Sequence, residues 1–102
     1  MDFCYSKIME GEWEPDCRIP SVKELSVAMV VNNRTVLQAY DNMQADATIY
    51  QRRGLGYYVS PDARNIILEM RRKEFYDFTL PEVKQLMCAL GLSFDDIKKF
   101  LE

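Results

Sequence analysis

Apolar positions repeat with a helical period over most of the chain and switch to alternation once. Val22, Leu25 and Met29 recur at helical spacing behind the run Pro20-Ser21-Val22-Lys23-Glu24. That run is a capping-box pattern: Ser21 can accept from the third helical N–H while Glu24 reaches back to the cap. The spacing predicts a short helix from about Val22 to Met29. Val30 and Val31 leave the stripe, and Asn32 offers a second N-cap. Behind it Val36, Ala39, Tyr40 and Met43 predict a second helix from Asn33 to about Ala45 with one buried face. Its other face carries Asn33, Arg34, Leu37, Gln38 and Asp41, which periodicity alone leaves as solvated surface.

The alternating stretch follows. Thr48 to Gln51 and Tyr57 to Ser60 are rich in Thr, Ile, Tyr and Val, as strands are, and Arg52-Arg53-Gly54-Leu55-Gly56 lies between them. Two glycines permit a tight turn and close approach of the backbone to another molecule. The loop is not a phosphate-binding P-loop, because no Lys-Ser/Thr pair follows the glycines. A helix pair beside a hairpin with an arginine tip is a winged helix-turn-helix, so the expected fold class is mainly α with a small β-hairpin.

The flanks read as helices too. Met1 to Glu10 is expected to be helical, with Phe3, Ile8 and Met9 inward and Gly11 as its stop. Trp13, in the loop Glu12 to Cys17, is expected to anchor that loop by packing. After Pro61-Asp62, a helix from about Ala63 to Phe78 uses Ala63, Ile66, Ile67, Met70, Phe75 and Phe78, and Arg71-Arg72-Lys73 is a solvated charge run. Leu80-Pro81-Glu82 restarts the helix, with Val83, Leu86, Met87 and Leu90 repeating the stripe before Gly91. Ser93, with Asp96 in the box position, caps a last helix whose Ile97, Phe100 and Leu101 face inward. These stripes exceed what a small winged domain buries unaided. The chain is therefore divided into a winged helix-turn-helix over residues 1–60 and a helical dimerisation tail over 61–102. The dimer interface is placed at Ile66, Ile67, Met70, Phe75, Phe78, Leu86, Met87 and Leu90; the alternative is that the tail packs back on its own domain.

Charge and composition limit the chemistry. With 102 residues, 48% hydrophobic and 28% charged, the composition is that of a folded domain. The net charge of −3 is low for a nucleic-acid binder. From Ile19 to Ser60, however, Lys23, Arg34, Arg52 and Arg53 face only Glu24, Asp41 and Asp46, a local balance of +1. A single copy then carries a weak phosphate footprint, and useful affinity needs two. The chain has no histidine, and Cys4, Cys17 and Cys88 lack ligand spacing, so no metal, no cofactor and no enzymatic activity is expected. Three spaced thiols suit a reducing compartment, and neither a signal peptide nor a membrane span is visible, so a cytoplasmic location without a membrane partner is expected.

The ordered motifs resemble the DNA-binding domain of the GntR family of bacterial transcription regulators. They are Arg18-Ile19-Pro20-Ser21-Val22-Lys23-Glu24-Leu25, Asn33-Arg34-Thr35-Val36, Ala39-Tyr40 and Arg52-Arg53-Gly54-Leu55-Gly56-Tyr57-Tyr58-Val59. The match covers about residues 8 to 60. The short helical tail is similar to the YtrA subfamily, where it serves as a dimerisation arm. The resemblance implies DNA contacts from Lys23, Asn32, Asn33, Arg34 and Thr35, with Gly54 approaching the minor groove beside Arg53. Three departures stand out. The first helix begins late relative to the family, Lys23 replaces a commoner arginine, and Val30 stands where glycine is usual, so that turn is expected to be wider or strained. Asn33 at a position that is often arginine implies a different base preference, such as adenine.

The expected function is a homodimeric, sequence-specific transcription regulator, a repressor reading a palindromic operator in double-stranded DNA. Arg34, Asn33 and Gln38 are placed nearest base edges; Ser21, Lys23, Thr35 and Tyr40 are candidates for phosphate; Arg52 and Arg53 serve the wing. A small-molecule effector would have to bind at the dimer seam, and its identity is unknown. The alternative function is a winged-helix protein-interaction module without DNA binding.

Overall fold

In the computed structural model, which describes residues 2–102, the first helix α1 spans Asp2–Met9. Met1, included in the expected helix, lies outside the described residues. The inward side chains of α1 are Cys4, Tyr5 and Ile8, whereas Phe3 is exposed. Phe3 instead meets Trp13 edge-on, with ring centroids 6.4 Å apart, so Trp13 packs its loop against α1 as expected.

Helix α2 (Val22–Met29) begins at the predicted capping box. Glu24 N donates to Ser21 Oγ at 3.1 Å and Ser21 N donates to the Glu24 carboxylate at 3.1 Å. The Ser21 N–H donated to its carboxylate holds the Glu24 carboxyl below its ordinary value, and a cap of this kind stabilises by about 1 kcal/mol. Leu25 and Ser26 are buried, but Met29 is not: it ends the helix at the exposed turn. That turn passes through Val30 at φ 54, ψ 50, left-handed backbone that a β-branched residue rarely adopts. The strain expected where glycine is usual is therefore present.

Helix α3 (Asn33–Ala45) is capped by Asn32, whose side chain accepts from Arg34 N at 2.8 Å. Val36, Tyr40 and Met43 are buried. Strands β1 (Ile49–Arg52) and β2 (Gly56–Val59) pair antiparallel, with Ile49 opposite Val59 and Arg52 opposite Gly56. The ladder reaches one residue closer to the tip than expected on each side, leaving Arg53-Gly54-Leu55 as the loop, closed by Leu55 N donating to Arg52 O at 2.9 Å. The segment before α2 runs beside β2: Ile19 N donates to Tyr57 O at 2.9 Å, Val59 N to Cys17 O at 3.1 Å, and Arg18 bridges Tyr58. Ile49 and Val59 point into a core shared with Cys4, Ile8, Ile19, Leu25, Val36, Tyr40 and Met43.

Helix α4 (Ala63–Glu74) follows, and two compact units divide within it, the first ending at Leu68 and the second spanning Glu69–Glu102. Ala63 and Ile67 are in the core of the first unit, Ile67 at 0% exposure. Ile67 therefore cannot line a dimer interface as expected: its side chain is consumed by its own unit. The expected break before Pro81 is also absent. A π-helical turn at Phe75–Thr79 leads directly into α5 (Leu80–Leu90), with Leu80 N donating to Phe75 O. A proline inside a helix has no N–H to give and crowds the carbonyl four residues back, and a widened turn ahead of it relieves both problems. Gly91 stops α5 at φ 67, and Ser93 with Asp96 forms the predicted capping box of α6 (Phe94–Leu101). Among residues 69–102 no side chain is buried. Cys4, Cys17 and Cys88 are free thiols, and among the described residues no helix is long and apolar enough to cross a membrane.

Candidate nucleic-acid interface

The start of α3 gathers most of the polar positions singled out from the sequence. Asn32, Arg34, Thr35 and Gln38 line one shallow surface depression of about 360 Å3. Arg34 and Thr35 are consecutive and Gln38 lies one turn further on, all on the exposed side of the helix, opposite the buried Val36, Tyr40 and Met43. The N-terminal end of a helix presents unpaired N–H groups and a partial positive charge, which favours anions there. Asn32 uses its side-chain oxygen for the cap and keeps its NH2 free to donate.

Asn33 is differently placed. The Ser26 hydroxyl is hydrogen-bonded to its Oδ1, and also lies 2.9 Å from the Lys23 carbonyl, so Ser26 ties the first residue of α3 to α2. A two-bond reading of adenine needs both ends of the asparagine amide, which Asn33 could supply only by releasing Ser26. Ser26 gave no signal in the sequence, because it fills a buried polar position that helical periodicity does not flag.

Tyr40, a candidate phosphate contact in the sequence, is 0% exposed. Its hydroxyl donates to Pro20 O at 2.7 Å and its ring meets Tyr57 edge-on at 4.8 Å. Burial raises its pKa, keeping the phenol neutral. The correction follows from the stripe itself: a residue on the apolar face of α3 cannot also reach the outer surface. Ser21 and Lys23 stand at the beginning of α2, Ser21 half-buried as the cap and Lys23 exposed.

The two wing arginines differ. Arg53 and Gly54 are at the exposed tip, with Gly54 at φ 76 and open space where a side chain would be. Arg52 belongs to β1, and its guanidinium lies over the rings of Tyr58 and Tyr50, at 4.9 and 5.8 Å. These rings stack on each other at 5.7 Å as a cross-strand pair, and the Tyr50 hydroxyl donates to Asp16 at 2.9 Å. Arg52 thus braces the outer face of the hairpin, and Arg53 is the wing cation that projects from it.

Arg18 is the residue whose role was not legible. Its Nε donates to Leu55 O at 3.2 Å and its Nη2 approaches Glu24 Oε1 at 3.5 Å. A Cβ added to Gly56, at φ 108, would sit 3.1 Å from Arg18 Nε. The guanidinium therefore passes through space that exists because position 56 is glycine, and it joins the wing loop to the cap of α2.

Among the described residues no group of His, Cys, Asp and Glu could hold a metal ion. The six remaining candidate dimer residues other than Ile66 lie in the second unit: Met70, Phe75, Phe78, Leu86, Met87 and Leu90. Phe78 is 71% and Leu90 71% exposed. A depression of about 690 Å3 in that unit is lined by Phe75, Leu80, Val83, Met87, Phe94 and Ile97 among others, with Lys84 as its charged residue.

Comparison with known proteins agrees with this geometry. Residues 5–59 match the family described as bacterial regulatory proteins, gntR family. The HTH-type transcriptional repressor YtrA of Bacillus subtilis is 33% identical over 61 residues, 60% of this chain and 47% of the repressor, so the match spans about half of that relative's length. The uncharacterized HTH-type transcriptional regulator YhcF of the same organism is 30% identical over 105 residues, 99% of this chain and 85% of YhcF. A solved structure of a protein assigned to the GntR family of transcriptional regulators, from Bacteroides thetaiotaomicron, superposes with a TM-score of 0.86 at 31% identity, covering 98% of this chain and 86% of that one.

Proposed function

The chain belongs to the GntR family of bacterial regulatory proteins, and on that premise we propose that it represses transcription as a homodimer bound to a palindromic operator. The observation that carries the DNA reading is the depression at the start of α3, where Asn32, Arg34, Thr35 and Gln38 converge on the solvent side of a helix whose other face is fixed in the core. In the proposed complex α3 enters the major groove. Arg34 and Gln38 face base edges, with Asn33 joining them if it leaves Ser26. Ser21, Lys23, Asn32 and Thr35 take phosphates, and Arg53 with Gly54 follows the minor groove. Bidentate pairing of Arg34 with guanine would discriminate by about 1–3 kcal/mol. The protein acts by occupancy, in the cytoplasm, and no bond is made or broken.

The sequence division at residue 60 moves to Leu68, because Ala63 and Ile67 are core of the first unit: residues up to Leu68 serve as the reader and Glu69–Glu102 as the pairing arm. What supports pairing is the second unit's composition: Phe75, Phe78, Leu86 and Leu90 are all exposed, on helices with one apolar stripe each. A surface of this kind is more apolar than an isolated unit leaves in water. Two copies of a weakly basic reader double its phosphate contacts, and affinity then falls steeply with salt. The test is selection of bound sequences from a random duplex pool, followed by titration of the winner and a scrambled duplex. Enrichment of an inverted repeat and salt-sensitive preference for it are expected; equal affinity for the scrambled duplex would overturn the proposal.

A further inference from the structure

The wing is a hairpin of two four-residue strands, and its loop Arg53-Gly54-Leu55 is exposed. A hairpin of that size has little stability of its own, so the position of its tip depends on what it is tied to. The strands are held by Ile19, Cys17 and Asp16, and the loop itself is reached by Arg18. Arg18 Nε donates to the Leu55 carbonyl at 3.2 Å, and the same guanidinium reaches Glu24 at 3.5 Å. Glu24 is itself fixed by the Ser21 N–H in the cap of α2. Gly56 supplies the space, since any Cβ there would press on Arg18 Nε at 3.1 Å. The backbone at Arg18 is anchored as well, by its bridge to Tyr58 on β2. The wing loop, the bare Cα of residue 56 and the helix cap thus meet on one planar cation.

We propose that Arg18 is a positioning residue for DNA binding: its guanidinium fixes the wing loop against the cap of α2, so that Arg53 is held in place before DNA arrives. This rests on the reading that the chain binds duplex DNA through α3 and the wing. The chemistry favours arginine over lysine, because two acceptors in different directions need a planar fork of N–H groups rather than a single ammonium. Holding the tip in advance removes an ordering cost at the moment of binding. Arg18 acts through Arg53, and its own contribution has no separate phosphate contact.

The experiment is a double-mutant cycle on the full chain with Arg18→Gln and Arg53→Ala, titrated against the selected operator at several salt concentrations. Arg18→Gln is expected to weaken binding about tenfold, in line with the loss of preorganisation, and to leave the salt slope of log K unchanged. In the Arg53→Ala background it is expected to add nothing, since the group it positions is gone. Arg18→Lys should recover part of the loss. Hydrogen exchange at Leu55, whose N–H donates to Arg52 O, should quicken in Arg18→Gln by more than exchange at the core amides of α3 does, which separates a loosened wing from a general loss of stability. Losses that add in the double variant, with a salt slope smaller by about 0.9 for Arg18→Gln, would mean that Arg18 itself contacts a phosphate, and would overturn the proposal. Unchanged affinity in a folded Arg18→Gln would overturn it too. Failure of the wild-type chain to bind any selected duplex would instead overturn the DNA-binding reading beneath it.

Discussion

Arg18 Nε lies 3.1 Å from where a Cβ of Gly56 would stand, and Gly56 holds a φ of +108. Both facts act against any side chain at that position. Gly56→Ala should destabilise the protein by about 1–3 kcal/mol through backbone strain, with displacement of Arg18 in addition. Gly54 is the internal control: its φ is +76 but nothing lies within 4 Å of where its Cβ would stand, so Gly54→Ala should cost about 1 kcal/mol. Urea unfolding of the two variants checks the order.

Val30 holds the left-handed conformation at φ 54 and is 89% exposed. Replacing it removes the strain of a branched side chain without removing core packing. Val30→Gly should therefore stabilise by about 1 kcal/mol, net of the extra freedom glycine has when unfolded. A rise in thermal midpoint checks this, and a fall would mean that Val30 makes contacts worth more than its strain.

Tyr40 tells a buried role from an interfacial one. Its hydroxyl donates to Pro20 O at 2.7 Å, within the core that faces away from the depression on α3. Tyr40→Phe leaves that carbonyl without its partner and should cost about 1–2 kcal/mol. Operator affinity, measured where both proteins are folded, should stay the same; a selective loss of affinity would restore the phosphate contact.

Tyr5 joins α1 to the end of α3, donating to Asp46 at 3.0 Å and accepting from Thr48 at 3.3 Å. Burial first, and the Asp46 carboxylate as well, push its pKa from 10.0 up to about 12. A raised folded-state value favours the neutral phenol in the native state. The contribution is complete below pH 10 and is lost as pH rises from 10 toward about 12. Denaturant midpoints should fall over that window, and Tyr5→Phe should flatten the part of the fall that belongs to this group.

The features legible in the sequence were those fixed by neighbours along the chain. The capping box at Ser21 and Glu24 and the cap at Asn32 set the limits of α2 and α3, because each is closed within three residues. Val36, Tyr40 and Met43 were visible as a buried stripe, and the error was to give Tyr40 an outer role as well. What was not legible depends on partners far apart. Arg18 and Leu55 are 37 positions apart, so nothing local announces the clamp. Arg52 looked like part of the tip until the register placed it across from Gly56, over the Tyr50 and Tyr58 rings. Ile67 shares its stripe with residues of the second unit, and only its packing shows that it is core. At Pro81 the expected break became a π-helical turn, since a wider turn upstream accommodates the ring without ending the helix.

The central claim is that the exposed start of α3 and the tip of the wing hold DNA. Fluorescence anisotropy of a labelled duplex carrying the selected palindrome tests it most directly, with the wild-type chain and an Arg34→Ala, Arg53→Ala variant titrated side by side. The prediction is saturation at two chains per duplex for the wild type, and binding by the variant no better than the wild type shows for a scrambled duplex. Superimposable curves for the two proteins would contradict the account.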